Sequence, residues 1–298
     1  MSDRTRNPMK WLALANFATS HHDTYPFIDP TKADLSGKSV FITGASKGIG
    51  KAVALSFAKA GCSQIAIAAR SSLADVEAAV KAAAKEASRP EPQVLALQTD
   101  VASEASVAAA AEAVTAAFGG KLDVLINNAG YLEQWKPIAE SDPVEWWRSW
   151  EINIKGSYLC ARSFLPLLLR SETKTMINLS SAGGHNTTPG ASAYQGSRFA
   201  TMRFNEFVDQ EYYEQGVIAI AAHPGGVPTE LALNMPAYMH AVLVDTAELP
   251  GDTFVWLAKD RRDWLAGRFI NAQWDMEELE QKKDEIVERD LLKFRMAV

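Results

Sequence analysis

Six short apolar runs, interleaved with longer Ala-rich helical patterns, restrict the possible folds of this chain more than anything else in it. They are SVFIT (39–43), QIAIAA (64–69), VLALQT (94–99), LDVLIN (122–127), TMINLS (175–180) and VIAIAA (217–222). Near-continuous apolar runs of this length read as strands covered on both faces. The pattern between them predicts helices over 47–60, 72–88, 103–117, 142–170 and 192–214. Strand and helix in alternation make a βαβ series. Right-handed crossovers turn such a series into an α/β fold, a doubly wound parallel β-sheet flanked by helices on both faces, with ligands at the carboxyl ends of the strands.

Composition narrows the partners. With 298 residues, 47% of them hydrophobic, the chain can bury a sizeable core as one α/β domain. A formal charge of −6 with scattered Lys and Arg gives no nucleic acid a basic face to bind. Cys62 and Cys160, far apart and without metal-ligating neighbours, suit buried thiols in a reducing, cytoplasmic compartment, and no metal site is expected. No apolar stretch reaches the ~18 residues that cross a bilayer. Arg4, Arg6 and Lys10 precede the apolar run Trp11 to Ala18, which is short for a signal peptide and is followed at once by His21, His22 and Asp23. Residues 1–35, with Pro8, Pro26 and Pro30, therefore read as an N-terminal arm on the surface or on a partner subunit, with exposed histidines that are not metal ligands.

The first strand runs into Thr43-Gly44-Ala45-Ser46-Lys47-Gly48-Ile49-Gly50. Glycines at 44, 48 and 50 permit a tight turn, close approach of a phosphate and close helix packing, and the helix that starts near Lys47 offers its N-terminal N–H groups to an anion. The turn predicts a nucleotide. A second cluster lies in 175–205, where a strand ends in Ser180 and Ser181, a Gly/Pro-bearing loop follows, and a helix brings Tyr194 and Arg198 one turn apart. A Ser, a Tyr and a cation at the open end of a strand make a proton-transfer site.

The glycine spacing resembles that of the short-chain dehydrogenase/reductase family, and the resemblance extends over most of the chain. Asn127-Asn128-Ala129-Gly130 follows the fourth strand, Asn153 sits in EINIKGSYL, Ser181 precedes Tyr194 by 13 residues, and Pro224-Gly225-Gly226-Val227-Pro228-Thr229 follows the sixth strand. The resemblance implies a single-domain Rossmann fold over 36–274 and a likeness to fungal members. It also implies a catalytic set of Asn153, Ser181, Tyr194 and the cation at 198, with cofactor contacts from Gly44, Ser46, Lys47, Gly48, Ile49, Gly50, Asp100, Val101, Asn128, Ala129, Gly130, Tyr194, Arg198, Pro224, Gly225, Val227 and Thr229. Where the family closes its second strand with an acid to favour NAD, this chain has Arg70, Ser71 and Ser72, with Lys47 nearby. An arginine fork suits a 2'-phosphate, so NADP(H) is the expected cofactor.

Reduction of a carbonyl builds negative charge on oxygen and needs an acid within hydrogen-bond reach. Tyr194 can supply the proton, Ser181 can orient the substrate oxygen, and by resemblance Asn153 would hold a water. The family's usual lysine is replaced by Arg198, which keeps the charge but does not give up a proton. Two outcomes fit: a working reductase of altered pH dependence, or a member whose redox chemistry is weakened or replaced by an isomerase- or cyclase-like step or by nucleotide binding alone.

Residues 229–250, rich in Leu, Met and Val, read as a substrate lid that favours an apolar or bulky carbonyl or alcohol. Tyr131, Leu132, Gln134, Trp135, His185 and Asn186 are candidates for the opposite wall. The helix with Trp146, Trp147 and Trp150 and the helix of Tyr194 are, by resemblance, the faces of a homodimer or homotetramer. Residues 275–298 read as a charged helical extension with Met276, Leu279, Ile286 and Leu291 available for burial.

Overall fold

The computed structural model describes residues 17–296; Arg4, Arg6, Lys10 and most of the run from Trp11 to Ala18 lie outside the described residues. Each apolar run forms the strand expected of it. In chain order the main elements are β1 (Ser39–Thr43), α1 (Gly48–Lys59), β2 (Gln64–Ala69), α2 (Ala74–Glu86), β3 (Gln93–Gln98), α3 (Glu104–Ala117) and β4 (Val124–Asn127). There follow α4 (Pro143–Trp150), α5 (Gly156–Leu168), β5 (Thr175–Leu179), α6 (Ser192–Tyr212), β6 (Ile218–His223), α7 (Glu248–Lys259), β7 (Arg268–Asn271), α8 (Met276–Gln281) and α9 (Lys283–Glu288).

The seven strands pair in parallel in the order β3-β2-β1-β4-β5-β6-β7. The chain winds outward from β1 to β3, crosses back to β4, and winds outward the other way. A crevice therefore opens where the order reverses, above the carboxyl ends of β1 and β4. This is a Rossmann-type doubly wound sheet with helices on both faces.

Alternate residues of each strand feed two cores. Val40 and Ile42 join Val53, Phe57 and Phe254 on one face, while Phe41 joins Leu125 and Phe164 on the other. The Phe41 and Phe164 rings stack with centroids 4.1 Å apart. Fully burying one such side chain contributes about 1.5–3 kcal/mol, so both faces hold the sheet.

Three expectations are corrected. β3 is not covered on both faces: as the sheet edge it leaves Gln93, Ala96 and Gln98 exposed. The helix expected over 142–170 is split by a π-helical turn, Glu151–Lys155, which separates α4 from α5. The charged C-terminal helix is also broken, into α8 and α9, because the chain folds back to bury Met276, Leu279 and Ile286 in the first core.

Residues 17–35 pack on the same chain, with Ala18, Ile28 and Leu35 buried. His22 is exposed, as expected, and His21 is half-buried; His21 bonds Asp275 at 2.7 Å and His22 bonds Asp245 at 2.5 Å. Cys62 and Cys160 are buried free thiols, each pushed up to about 12 by loss of solvent. Among the described residues no helix is long and apolar enough to cross a membrane, and no cluster of His, Cys, Asp and Glu could hold a metal ion.

Candidate active site

The glycine-rich turn between β1 and α1 is fixed by the turn that follows β4. Asn128 Nδ2 donates to the carbonyl oxygens of Thr43 and Gly44 at 2.7 and 3.1 Å, while Thr43 Oγ1 accepts from the Asn128 and Ala129 N–H groups at 3.0 Å each. A Cβ at position 50 would stand 2.5 Å from both Asn128 Nδ2 and the Gly44 carbonyl, so only glycine lets the two turns interlock. Lys47 gives the first turn of α1 no side-chain cap. Its N–H groups are thus presented to the crevice, as an anion site requires. The Lys47 ammonium itself pairs with Glu230, at the start of the expected lid.

The π-helical turn and α6 tie Asn153 to the turn of Tyr194 and Arg198, and Ser181 follows Ser180, which bonds to α6. Ser180 Oγ donates to the Arg198 carbonyl at 2.8 Å and so pins the end of β5 to α6. Ser181 Oγ accepts from the Gly183 N–H at 3.0 Å. Asn153 Nδ2 donates to Ser197 Oγ at 2.9 Å, and that hydroxyl donates on to the Tyr194 carbonyl at 2.8 Å. The remaining capacity of the Asn153 side chain goes to Tyr131, accepting from its N–H at 2.8 Å and donating to its carbonyl at 3.0 Å. The π-helical turn therefore sets Asn153 between the β4 turn and the Tyr194 helix, a use typical of such bulges.

Arg198 is buried, 4% exposed. Its guanidinium carbon lies 5.2 Å from the Tyr194 ring centroid, and Nη1 donates to the Leu179 carbonyl at 2.8 Å. Nη2 lies against Gly130, where a Cβ would approach it to 2.3 Å, and Nε has no hydrogen-bond partner among the described residues. The cation is thus held at the tyrosine by a carbonyl on one side and a bare glycine on the other.

The sequence profile of the short chain dehydrogenase family matches residues 38–238. The chain belongs to the short-chain dehydrogenase family. It is 52% identical to a short chain dehydrogenase of Monascus purpureus over 94% of its own length and 95% of the relative's. It is 42% identical to one from Emericella variicolor over 94% and 96%. A short-chain type dehydrogenase/reductase from Mycobacterium ulcerans superposes with a TM-score of 0.73 at 23% identity, covering 80% of this chain and 89% of that one. Levodione reductase superposes at 0.70 and 23% identity, covering 80% and 96%. This is an oxidoreductase family that binds a nicotinamide cofactor and acts on small molecules.

In this short-chain dehydrogenase the residues expected from sequence at 70–71, 100–101 and 224–229 follow the carboxyl ends of β2, β3 and β6. Val101 packs on Gly156 at the start of α5, and Asp100 accepts from the Ala102 N–H at 3.0 Å. Arg70 and Ser71, just past β2, are exposed. Asp245, 2% exposed, holds the 224–229 loop: it accepts from the Gly226 N–H at 2.5 Å, from Gln273 Nε2 at 2.8 Å and from His22. The segment over 229–250 forms two short 3-10 turns, Ala232–Asn234 and Ala237–Val242, with Leu233, Tyr238 and Val244 exposed.

A cleft of about 450 Å³ opens beside the site. Tyr131, Glu133, Gln134, Lys136, Glu145 and Asn234 bring polar groups to a mixed lining that also includes Leu132 and Trp146. Tyr131 donates its phenolic proton to Glu145, and Arg148 stacks over its ring at 4.8 Å. Trp135 and His185 are not in its lining. His185 sits between the Phe269 and Phe294 rings, at 4.7 and 4.8 Å, and burial lowers it to about 4. Sequence reasoning missed Glu133, Glu145 and Asp245. Glu133 and Asp245, whose partners lie on other elements, leave no spacing to read, and Glu145 with Arg148 reads only as an ordinary i,i+3 helix pair.

Proposed function

We propose that this chain is an NADP(H)-dependent oxidoreductase that interconverts a carbonyl and an alcohol on a bulky small molecule. The observation that carries the reading is the buried Arg198 guanidinium, set over the Tyr194 ring and against Gly130 of the 127–130 turn, which interlocks with the 44–50 turn. The cofactor, when bound, supplies or accepts the hydride. Tyr194 gives a proton to the substrate oxygen or takes it back, and Ser181 orients that oxygen by hydrogen bonding. Arg198 places a fixed positive charge over the Tyr194 ring.

Arg70 and Ser71 support NADP(H): both are exposed past β2, where a fork of donors meets a 2'-phosphate. The lining of the cleft supports a substrate with hydrogen-bonding substituents as well as bulk. Trp147, Tyr158, Phe199 and Phe207 are exposed on α4, α5 and α6, which supports self-association through those helices into a dimer or tetramer. The buried free thiols fit a cytoplasmic location.

The test is NADPH consumption against a panel of carbonyl compounds by wild type, Tyr194→Phe and Arg198→Lys. Turnover by the wild type, falling about 10²- to 10⁴-fold in Tyr194→Phe, supports the reading. A second reading rests on Arg198, which spends Nη1 on Leu179 and does not exchange a proton. Product formation without net NADPH oxidation, unharmed in Tyr194→Phe, would establish a non-redox step in its place.

A further inference from the structure

Glu133 lies in the loop after β4 and is 4% exposed. Among the described residues no Lys, Arg or His pairs with its carboxylate. A buried carboxylate without a counter-cation is expensive unless something else offsets its desolvation. Here Oε2 accepts from Ser149 Oγ at 2.5 Å, and Oε1 accepts from the backbone N–H of Tyr194 at 3.1 Å. The other offset is the positive end of α6, a helix of 21 residues.

That helix needs such a partner. Its N-cap is Ala191, whose methyl group accepts no hydrogen bond, so the first-turn N–H groups have no cap of their own. Tyr194 is the third residue of the helix, and its N–H is the group that an N-cap side chain would normally take. Glu133 therefore caps α6 from a different loop. Through Ser149 the same carboxylate fastens α6 to α4, where Trp146 Nε1 donates to Ser192 Oγ at 3.0 Å as a second tie.

We propose that Glu133 is a positioning residue for Tyr194, fixing the first turn of α6 so that the phenol stands at the reacting oxygen. The inference rests on the reading of Tyr194 as the proton donor. Among the described residues Glu133 has no hydrogen bond to the glycine-rich turn or the 224–229 loop, so its loss reaches the cofactor only through Tyr194. A displacement of the phenol by about 1 Å is enough to cost on the order of 10²-fold in turnover.

The experiment compares Glu133→Ala and Glu133→Gln in the wild-type and Tyr194→Phe backgrounds, with amide hydrogen exchange at the α6 N-terminus measured alongside. In Glu133→Ala we expect kcat to fall by about 10- to 100-fold with the cofactor KM changed by less than about threefold, and Tyr194 amide exchange to speed up at least tenfold. Glu133→Gln keeps an acceptor for the Tyr194 N–H and a donor for Ser149, and restores kcat to within about threefold of wild type. In the Tyr194→Phe background Glu133→Ala costs nothing further, because two residues acting through one group are not additive.

Equal loss of kcat and cofactor affinity, additive losses, or a Glu133→Gln variant as impaired as Glu133→Ala would overturn the proposal. If Glu133→Ala does not fold, Glu133→Gln decides it: unchanged exchange at Tyr194 supports the cap, and exchange faster by tenfold refutes it. Should Tyr194→Phe alone leave turnover intact, the proton-donor reading fails by itself. The exchange measurement still tests whether Glu133 holds the helix.

Discussion

Gly130 and Arg198 occupy one another's space: a Cβ at position 130 would stand 2.3 Å from Arg198 Nη2. Because the guanidinium is also held by the Leu179 carbonyl, it cannot retreat without losing that bond. Gly130→Ala should destabilise the fold by about 1–3 kcal/mol, as overpacking does, and displace the cation from Tyr194. Arg198→Lys removes the bulk, so the double variant should recover much of the lost stability. Urea midpoints of the four proteins check this; equal destabilisation by Gly130→Ala in both backgrounds would refute it.

Asp245 ties the 224–229 loop to the N-terminal segment and to Gln273. Asp245→Ala strands the Gly226 N–H, at a cost of about 1–3 kcal/mol for an unsatisfied buried donor. Cofactor dissociation should quicken while turnover at saturating cofactor changes little. Stopped-flow release of NADPH measures it, and an unchanged release rate would count against a role for Asp245 in holding the loop.

Cofactor choice should turn on Arg70. If it forks onto a 2'-phosphate, Arg70→Asp should lower the preference for NADPH over NADH by about 10- to 100-fold, the worth of a charge-assisted hydrogen bond. The ratio of kcat/KM values for the two cofactors reports the change. Equal use of both by wild type would rule out the fork.

The pH dependence of stability should carry a histidine signature. Burial lowers His185 from 6.5 to about 4 and His223 to about 3. Both are neutral in the native protein while the unfolded chain takes up protons below about pH 6.5. The unfolded state then binds more protons, so stability is full above that pH and is lost as pH falls toward 4. Desolvation raises Asp290, but Lys293 and Arg295 together outweigh it and hold it down to about 2, which adds loss only below about pH 4, the ordinary aspartate range. Asp209 and Asp252, raised by burial, act in the opposite sense. Denaturant midpoints at pH 7, 5.5 and 4.5 should fall steadily in wild type and less steeply in His185→Phe.

What could be read from the chain directly was local chemistry. Apolar runs announced β1 to β6, glycines at 44, 48 and 50 marked a turn that no other residue allows, and the interval from Ser181 to Tyr194 and Arg198 placed three groups on adjoining elements. Each depends on a few consecutive residues or on one helical turn, so pattern alone specifies it. Only tertiary packing decided the rest. β3 became an edge because the sheet stops there, and the helix over 142–170 broke at Asn153 because that side chain bonds Tyr131 and Ser197 at once. His185 was drawn to Phe294 by a C-terminal segment that folds back over α6. Glu133 caps a helix whose first residue lies 59 positions away, from Glu133 to Ser192, and Asp245 meets His22 across 223. Such contacts join residues whose separation along the chain carries no period, and their energies depend on burial that exists only once the sheet has formed.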